Sequence, residues 1–325
     1  MSVAKKRYAY FPGCASESTA KPAALAAGYV FCRIGVDLIE IKDWNCCGAT
    51  SAHTLSDALG LALPARPLAR AEADWPELDV VTGCASCYAR LKLTNHRVRN
   101  DKEARYMTEK IIGRPYAAKR EVLNFLDILS DPDVQNSIKN AMPRRFKSLK
   151  AACYYGCLNV RPAEITGAKD RENPQAMDEI AALTGAEPVD WGFKTECCGA
   201  AHQNDAAFEA RPLAGRILEN ARACGADVIL TACPMCQLNL EMRQYEYIRK
   251  REEKLAGKPI FPALSMILPP DPSKTIPVLS IIELLAVAMG AGGRRLALGS
   301  HFVPAGRVIT NGFKDGKDKE SGIFI

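Results

Sequence analysis

Two stretches of the chain share one pattern, in which a short apolar run leads into two cysteines separated by two residues. The first reads Asp79-Val80-Val81-Thr82-Gly83-Cys84-Ala85-Ser86-Cys87, and the second reads Asp227-Val228-Ile229-Leu230-Thr231-Ala232-Cys233-Pro234-Met235-Cys236. Short β-branched and aliphatic runs that end in small residues predict buried strands. Helix-like sequence follows each pair, from Tyr88 to Val98 and from Gln237 to Lys254. Each CxxC pair is therefore predicted to lie at a turn between a strand and a helix.

The sequence upstream of each CxxC pair is repeated as well. A Cys-Cys-Gly triplet occurs in both copies, at Cys46-Cys47-Gly48 and at Cys197-Cys198-Gly199, and the pentapeptide Ala-Arg-Pro-Leu-Ala follows each triplet. A single cysteine stands further upstream, Cys14 after Tyr10-Phe11-Pro12-Gly13 and Cys157 after Tyr154-Tyr155-Gly156. Five cysteines in the same order, twice, with matching flanks, indicate a gene duplication.

The order of strand, turn and helix in both copies predicts the fold class. We expect an α/β protein of two pseudo-symmetric repeats, each a small, mostly parallel sheet with flanking helices. The predicted domains are residues 1–145 for the first repeat with its connector, 146–304 for the second repeat, and 305–325 for a C-terminal tail.

The charged sequence from Asn95 to Lys150 is expected to be an irregular connector. Its helical-looking part, Lys119 to Leu129, is expected to cross from one half to the other. The alternative interpretation of the whole connector is a basic surface that docks a partner. Pro67 and Pro212 lie in the two pentapeptides, where each is predicted to occupy the first turn of a helix.

Composition limits the class of protein. The chain has 325 residues, of which 48% are hydrophobic and 25% charged, and this profile excludes wholesale disorder. The net charge of +6 suits an acidic protein partner and does not indicate nucleic acid. The apolar run from Ile276 to Ala291 is interrupted by Glu283 and is short for a membrane span. The N-terminus has no apolar segment of a secretory signal, so we expect a cytoplasmic protein.

The 13 cysteines are the feature of the sequence that points most directly to its chemistry. An odd number in a reducing compartment favours metal ligands or catalytic thiols over disulfides. Structural zinc and cubane clusters take four ligands, whereas each repeat offers five cysteines. Adjacent cysteines also point in divergent directions, which suits two metal atoms of one larger cluster. The spacing therefore favours an iron–sulfur cluster of unusual shape over zinc.

The double pattern of a lone cysteine, a Cys-Cys-Gly triplet and a CxxC pair resembles the cysteine-rich CCG domain of heterodisulfide reductase B subunits. Related repeats occur in one class of succinate or fumarate reductase subunits and in iron–sulfur subunits of glycolate or lactate oxidation. The resemblance extends from residue 7 to about residue 304 and includes the ending His301-Phe302-Val303-Pro304.

The resemblance implies that each repeat binds one noncubane [4Fe-4S] cluster through five cysteines, and that a disulfide is cleaved between the two clusters. Carried over to this chain, the first set of ligands is Cys14, Cys46, Cys47, Cys84 and Cys87, and the second set is Cys157, Cys197, Cys198, Cys233 and Cys236. The implied partners are a ferredoxin-like iron–sulfur subunit (HdrC-type) and a flavoprotein (HdrA-type), with a lipoyl carrier protein as a further candidate.

Cys32, Cys153 and Cys224 lie outside both sets, and we expect them to be small buried apolar residues. Cys153 competes with Cys157 as the lone ligand of the second repeat, because the second copy lacks the proline that precedes Gly13 in the first. The alignment of the two copies favours Cys157.

Four further residues are site candidates because of their positions in the repeats. His53 and His202 follow the two triplets, and we predict that they donate protons near the clusters; the alternative is a helix cap or a polar niche. Gly48 and Gly199 are predicted to let the backbone approach the clusters closely. The active site is predicted to lie between the two halves, where the triplet loops and the histidines would meet.

Three functions remain open from the sequence. The first is a catalytic subunit that reduces or forms a disulfide, or a related lipoyl or persulfide-type compound, with electrons exchanged with partner subunits. The second is an electron-transfer subunit that acts toward quinone and is peripheral at the membrane. In that case the segment Ile276 to Met289 would contact the membrane; the alternative interpretation of this segment is a core helix. The third is a nonenzymatic zinc or iron scaffold. The chain has no ferredoxin motif, and Gly290-Ala291-Gly292-Gly293 follows a helical pattern, unlike a nucleotide-binding loop.

Overall fold

Two sheets of the same topology form the framework of the protein. The computed structural model describes residues 6–49, 51–202, 207–256 and 275–313. The first repeat contains strands β1 (Lys6–Phe11), β2 (Val36–Glu40), β3 (Val80–Thr82) and β4 (Val122–Asn124), and helices α1 (Lys21–Arg33), α2 (Ala52–Leu55), α3 (Asp57–Asp74), α4 (Ala85–Asn100), α5 (Lys102–Ile112), α6 (Phe125–Leu129) and α7 (Pro132–Ala141).

The second repeat follows the same plan. Its strands are β5 (Lys150–Tyr154), β6 (Glu187–Pro188), β7 (Val228–Thr231) and β8 (Val278–Ser280), and its helices are α8 (Ala163–Thr166), α9 (Ala176–Leu183), α10 (Ala207–Ala223), α11 (Pro234–Ala256), α12 (Ile281–Ala288) and α13 (Gly306–Phe313). Short 3₁₀ helices lie at Cys14–Glu17, Ala200–His202 and Leu298–Ser300.

Both sheets are parallel throughout, in the orders β2-β1-β3-β4 and β6-β5-β7-β8. The strands that precede the CxxC pairs are central and buried on both faces, as parallel strands covered by helices are. In register, Phe11 pairs with Thr82, and Tyr154 pairs with Thr231. The predicted α/β fold of two repeats is confirmed.

The strand order determines where the cysteines meet. In each sheet the chain runs from the first strand to one side and then returns to the other side, so the order reverses between β1 and β3 and between β5 and β7. A crevice forms beyond the carboxyl ends of parallel strands at such a switch point. Cys14 follows β1 and Cys84 follows β3, whereas Cys157 follows β5 and Cys233 follows β7. Both CxxC pairs open helices there, α4 and α11, as predicted.

Two local predictions were wrong. The connector is largely regular, and Val122–Asn124 does not cross between the halves but pairs with β3 as the fourth strand of the first sheet. Pro67 and Pro212 lie inside α3 and α10 rather than in a first turn. Helix α3 begins earlier, at Asp57, because the Ser56 side chain accepts a hydrogen bond from the Leu59 amide.

One hydrophobic core continues from the first repeat into the second. Val30 and Phe31 of α1 pack in the same cluster as Leu284 and Leu285 of α12. The Tyr29 hydroxyl donates to the Met289 carbonyl at 3.1 Å, which ties the end of α12 to α1. The segment Ile276 to Met289 therefore forms a strand and a helix of the core. Of the two interpretations of this segment, the structure supports the core helix over the membrane contact. In the described part of the chain, no helix is long and apolar enough to cross a membrane.

The predicted boundary at residue 146 falls just before β5. Phe146 packs in the second half, where its ring stacks on Phe313 of α13 with centroids 4.1 Å apart. The predicted tail thus starts with a helix that packs on the second repeat, and its residues 314–325 lie outside the described residues. The division at residue 146 stays a prediction.

Candidate metal centres

The turn before each lone cysteine brings the backbone against the CxxC pair. Gly13 and Gly156 have φ values of 75° and 67°, in the left-handed region that favours glycine. A Cβ at Gly13 would lie 3.1 Å from the Cys87 sulfur, and one at Gly156 would lie 3.3 Å from the Cys236 sulfur. These two glycines were not singled out from the sequence, although each directly precedes a lone cysteine in both copies.

The thiols of each set are in contact with one another. The Cys47 and Cys87 sulfurs are 3.2 Å apart in the first repeat, and the Cys198 and Cys236 sulfurs are 3.4 Å apart in the second. Further thiol contacts join Cys46 to Cys47, Cys84 to Cys87, Cys157 to Cys197 and Cys233 to Cys236. Cys14 is more peripheral: it is exposed, and it acts on Cys46 through charge. Nine of the ten predicted ligands thus contact another cysteine of their set, and Cys14 lies near the first set without a thiol contact of this kind.

The two groups also meet each other. The Cys84 thiol contacts the Cys233 thiol across the repeats, and the Ser86 amide donates to the Cys233 sulfur. The N-termini of α4 and α11 therefore face each other, and both direct amide groups and positive dipole ends toward sulfur. The two sets of thiols form one continuous sulfur-rich zone.

Contacts among the thiols lower the pKa of some cysteines and raise the pKa of others. Hydrogen bonds from Cys46 and then Cys87 lower the pKa of Cys47 to about 4, and a hydrogen bond from Cys157 lowers the pKa of Cys197 to about 6. The same contacts raise the pKa values of Cys46 and Cys157. At neutral pH some of the sulfurs in each set are therefore thiolates, the form that binds metals.

Hydrogen bonds hold the two triplet loops in place. The Asn45 amide group donates to the carbonyls of Cys46 and Leu63, both at 2.8 Å. In the second repeat, Asn239 of α11 donates to the Cys198 carbonyl at 2.7 Å. The Tyr154 hydroxyl donates to the Glu196 carbonyl at 2.6 Å, which ties that loop to β5.

Gly48 and Gly199 contribute in two ways. Their amides donate to the sulfurs of Cys46 and Cys197, the latter at 3.4 Å, and such bonds stabilise thiolate. Both have positive φ values, 70° for Gly48 and 81° for Gly199. A side chain at either position would point at a neighbouring helix: a Cβ at Gly48 would lie 2.8 Å from the Ala52 side chain, and one at Gly199 would lie 2.7 Å from the Ala210 backbone. Their lack of a side chain is thus needed for helix packing, whereas the approach to sulfur is made by Gly13 and Gly156.

The remaining cysteines lie apart from both sets. Cys153 is fully buried in β5 and packs in the shared core, whereas Cys157 contacts Cys197. This arrangement favours Cys157 as the lone ligand. Cys224 is half-buried. Cys32 is exposed, so its predicted burial was wrong; it lies in the last turn of α1, beside Arg33.

A cavity of about 430 Å³ lies between the two repeats. All five cysteines of the second set line it, together with Leu158 and Met235. The first repeat contributes Ala49 and Ser51, just after its triplet. It also contributes four residues of α4, namely Ala85, Ser86, Ala89 and Arg90. A cavity shared by the halves was predicted, and the cysteines that line this one come from the second set.

Both predicted histidines line this cavity, and both side chains are exposed. His53 belongs to α2 and His202 to the short 3₁₀ helix after the second triplet. Positive charge at His202 helps to lower the pKa of Cys197. A guanidinium, that of Arg90, also lines the cavity. It was missed from the sequence because it lies in a charged helical segment that resembles a solvated surface.

The donor set fits an iron–sulfur cluster better than a single ion. Each set supplies five thiols, with backbone amides aimed at sulfur and glycines that leave room beside it. Thiolates with amide hydrogen bonds are the ligands of iron–sulfur clusters. In the described ranges, no group of three or more His, Cys, Asp or Glu side chains has the geometry of a site for one metal ion.

Two known proteins are similar to the chain over most of its length. The 8-methylmenaquinol:fumarate reductase membrane anchor subunit of Wolinella succinogenes is 27% identical over 304 residues, which cover 93% of this chain and 98% of that protein. The B subunit of the ferredoxin/F420H2-dependent CoB-CoM heterodisulfide reductase of Methanosarcina acetivorans is 29% identical over 273 residues, which cover 79% of this chain and 81% of that protein.

A solved structure and a family model agree with the architecture. A hypothetical protein from Helicobacter pylori superimposes with a TM-score of 0.61 at 13% identity, over 92% of this chain and about half (52%) of that one, and this likeness concerns the fold alone. The model of the cysteine-rich CCG domain matches residues 8–92 and 151–241, the two repeats found above. The chain therefore belongs to the cysteine-rich CCG domain family, of which it carries two copies.

Proposed function

We propose that the chain is the iron–sulfur catalytic subunit of a heterodisulfide reductase-like complex, which cleaves or forms a disulfide in the cavity between its repeats. The observation that carries this proposal is the cavity itself, because it combines five thiols and His202 of the second repeat with His53 and Arg90 of the first. Similarity to heterodisulfide reductase B subunits supports the same chemistry. A lipoyl or persulfide-type sulfur compound belongs to the same substrate class.

The proposed cofactors are two noncubane [4Fe-4S] clusters, one on each set of five cysteines. When bound, they would supply single electrons and iron sites with affinity for sulfur. Gly13 and Gly156 leave space beside the sulfurs, and the Gly48 and Gly199 amides offset negative charge on the thiolates. A cluster in each repeat is consistent with the contact between Cys84 and Cys233, because this contact brings the two sets together.

Cleavage of one disulfide consumes two electrons and two protons and releases two thiols. We assign the protons to His53 and His202, which line the cavity from different repeats. Imidazole is suited to this step because its ordinary pKa lies near neutral pH. The electrons would be exchanged with partners, a ferredoxin-like HdrC-type subunit and an HdrA-type flavoprotein, and a lipoyl carrier protein would deliver a bound substrate.

The second candidate is an electron-transfer subunit of a succinate or fumarate reductase-type, or glycolate- or lactate-oxidising, complex that acts toward quinone. The match to the Wolinella succinogenes protein over 93% of this chain favours it. Because Ile276 to Met289 belongs to the core, a peripheral membrane contact in this case would need another surface.

A dye assay on the anaerobically purified, cluster-loaded protein separates the two candidates. Reduced methyl viologen is the donor, and lipoamide disulfide or a soluble naphthoquinone is the acceptor. We expect disulfide-dependent dye oxidation with two thiols released per two electrons, lost in Cys197→Ser and retained in the matched control Cys224→Ser. Oxidation by the quinone alone, with no thiol released from a panel of disulfides, would instead support the second candidate.

A further inference from the structure

Near the end of the second repeat, a histidine lies between two buried carboxylates. His301, the first residue of the ending His301-Phe302-Val303-Pro304, contacts Glu241 of α11 through Nδ1 and Glu283 of α12 through Nε2. Both glutamates are almost inaccessible to solvent. Within the described ranges, no lysine or arginine forms an ion pair with either of them. In this buried trio (Glu241, Glu283 and His301), one imidazole therefore faces two carboxylates.

The two glutamates of the buried trio differ in what stabilises their charge. With His301 charged and both glutamates ionised, the trio would carry a net negative charge in the interior, which is costly. Glu283 lies in the first turn of α12, where the helix dipole favours an anion, and it accepts a hydrogen bond from the Ser280 amide at 2.7 Å. Burial, and to a smaller extent the charge of Glu283, raises the pKa of Glu241. Glu241 is therefore the member of the trio that exchanges a proton most readily.

Gln237 connects the buried trio to the cysteines. It directly follows Cys236 near the start of α11 and is buried. Its amide nitrogen lies 3.3 Å from Nδ1 of His301 and 3.4 Å from Oε2 of Glu283. Cys236 lines the substrate cavity, whereas Gln237 does not. The trio therefore approaches the sulfurs from outside that cavity.

Two small cavities with polar linings meet at Gln237. The residues with polar or thiol groups that line the larger one, of about 30 Å³, are Tyr10, Ser16, Cys84, Gln237 and Ser280. Those that line the smaller one, of about 10 Å³, are Thr19, Gln237, Glu241, Ser300 and His301. A polar cavity needs about 10–15 Å³ to hold one water, so the larger cavity admits a water and the smaller one is close to this limit. A polar path thus leads from the trio past Gln237 to the first CxxC pair.

Few other charged or titratable groups face the buried trio. Tyr245 of α11 donates a hydrogen bond to the Phe302 carbonyl, and burial, followed by the charge of Glu241, raises the pKa of Tyr245, which stays neutral. Arg294 lines a separate cavity together with His301 and forms no ion pair with the described part of the chain. The first repeat contributes the uncharged Thr19 and Pro22 to the smaller cavity. The proton balance of the trio is therefore set by its own three members.

We infer that Glu241 takes up a proton from solvent when an electron enters the sulfur-rich zone, so that the buried trio offsets the added negative charge. The inference rests on the clusters of the proposed function. Two negative charges in a poorly screened interior raise each other's energy. An added electron therefore increases the proton affinity of Glu241, and a proton on Glu241 in turn favours reduction.

The step balances with one electron and one proton. The electron comes from the ferredoxin-like partner or from a chemical reductant, and the proton passes from water to a carboxylate oxygen of Glu241. This proton stays in the interior and is not one of those assigned to the released thiols. Glu241 touches no sulfur of the site, so it is a positioning residue that acts through Gln237 and through the charge that it holds.

Redox titrations of the anaerobically purified, cluster-loaded protein, followed by EPR from about pH 5 to about pH 9, test this inference. We expect a midpoint potential that falls as the pH rises, by up to about tenfold in the reduction equilibrium constant, or about 59 mV, per pH unit. Glu241→Gln should lose this dependence, because an amide cannot take up the proton. Glu246→Gln is the matched control and should retain it, because Glu246 lies on the same helix but pairs with Arg211 and Arg243.

Infrared difference spectra of the unchanged protein, reduced minus oxidised, test the same step without a variant. The C=O band of a protonated carboxyl group should appear while carboxylate absorption is lost. A potential that does not depend on pH, a slope that Glu241→Gln retains, or spectra without the carboxyl band would each overturn the inference and leave the proposed function in place. If the protein holds no reducible cluster, the proposed function itself fails, and the inference fails with it.

Discussion

Cys84 of the first repeat and Cys233 of the second are in direct thiol contact, and each is the first cysteine of its CxxC pair. Both are nearly inaccessible to solvent, at 6% and 2% exposure. Each pair begins a helix at the switch point of its own sheet. With a cluster on each set, as proposed above, electrons would pass between the repeats at this point without crossing a layer of apolar side chains.

The lone ligand of the second repeat is open to direct test. Cys157→Ser should lower the iron content and alter the EPR spectrum of the second site, because Cys157 contacts Cys197 in the cavity. Cys153→Ser should leave both nearly unchanged, since Cys153 is buried in the core. If the two outcomes are exchanged, the lone ligand is Cys153 and the alignment of the repeats is wrong.

Gly13→Ala should reduce the iron bound by the first repeat. The new Cβ would lie 3.1 Å from the Cys87 sulfur, at a φ of 75° that alanine rarely adopts. Gly35→Ala is the matched control, because Gly35 has a φ of 73° but nothing within 4 Å of the added Cβ. Both variants should lose about 1 kcal/mol of stability to backbone strain. Equal iron in the two variants would show that space beside Cys87 is not required.

The two cavity histidines are expected to act in turnover. His202→Gln should slow release of thiol from a disulfide by about a hundredfold and remove a limb of the pH–rate profile, with iron content preserved. His96→Gln is the control, because His96 is exposed on α4 and does not line the cavity. A rate and pH profile in His202→Gln that match those of the control would exclude His202 as the proton donor.

A buried histidine outside the site predicts a pH dependence of stability. His301 contacts Glu241 through Nδ1 at 2.8 Å and Glu283 through Nε2 at 3.1 Å. Burial opposes its charge, but hydrogen bonds to both carboxylates raise the pKa of His301 from 6.5 to about 10. A raised pKa means that this stabilisation is complete below pH 6.5 and is lost as the pH rises through about 10.

Thermal unfolding between pH 7 and pH 10 measures this effect. The unchanged protein should lose stability across the range, whereas His301→Gln should be less stable at pH 7 by about 3 kcal/mol and depend less on pH, because two buried carboxylates lose their cation. An unchanged slope in His301→Gln would mean that other groups carry the pH dependence.

The repeats, the strands before the CxxC pairs and the grouping of the cysteines were predictable from the sequence. Val80-Val81 and Val228 to Leu230 are short apolar runs that end at small residues, which is a strong local signal. The fourth strand of the first sheet was not predictable, because Val122–Asn124 has too few residues to show a period and acquires its strand conformation by pairing with β3. Pro67 was misplaced because the helix starts at the Ser56 cap, well before the proline.

Within the site, the missed residues depend on tertiary contacts. Arg90 differs from Arg97 only in what faces it, and the sequence around both is charged. The close approach of Gly13 to Cys87 joins the turn after β1 to the first turn of α4, so it becomes visible only when β1 and β3 are side by side. His301, Glu241 and Glu283 come from three separate elements for the same reason.

The iron, zinc and acid-labile sulfide content of the anaerobically purified protein tests the central claim most directly. Two four-iron clusters on the ten cysteines predict about eight iron atoms and about eight sulfides per chain, with little zinc. The EPR spectrum of the oxidised protein, recorded on the same sample, should change when a thiol is added. Stoichiometric zinc without labile sulfide would contradict the account.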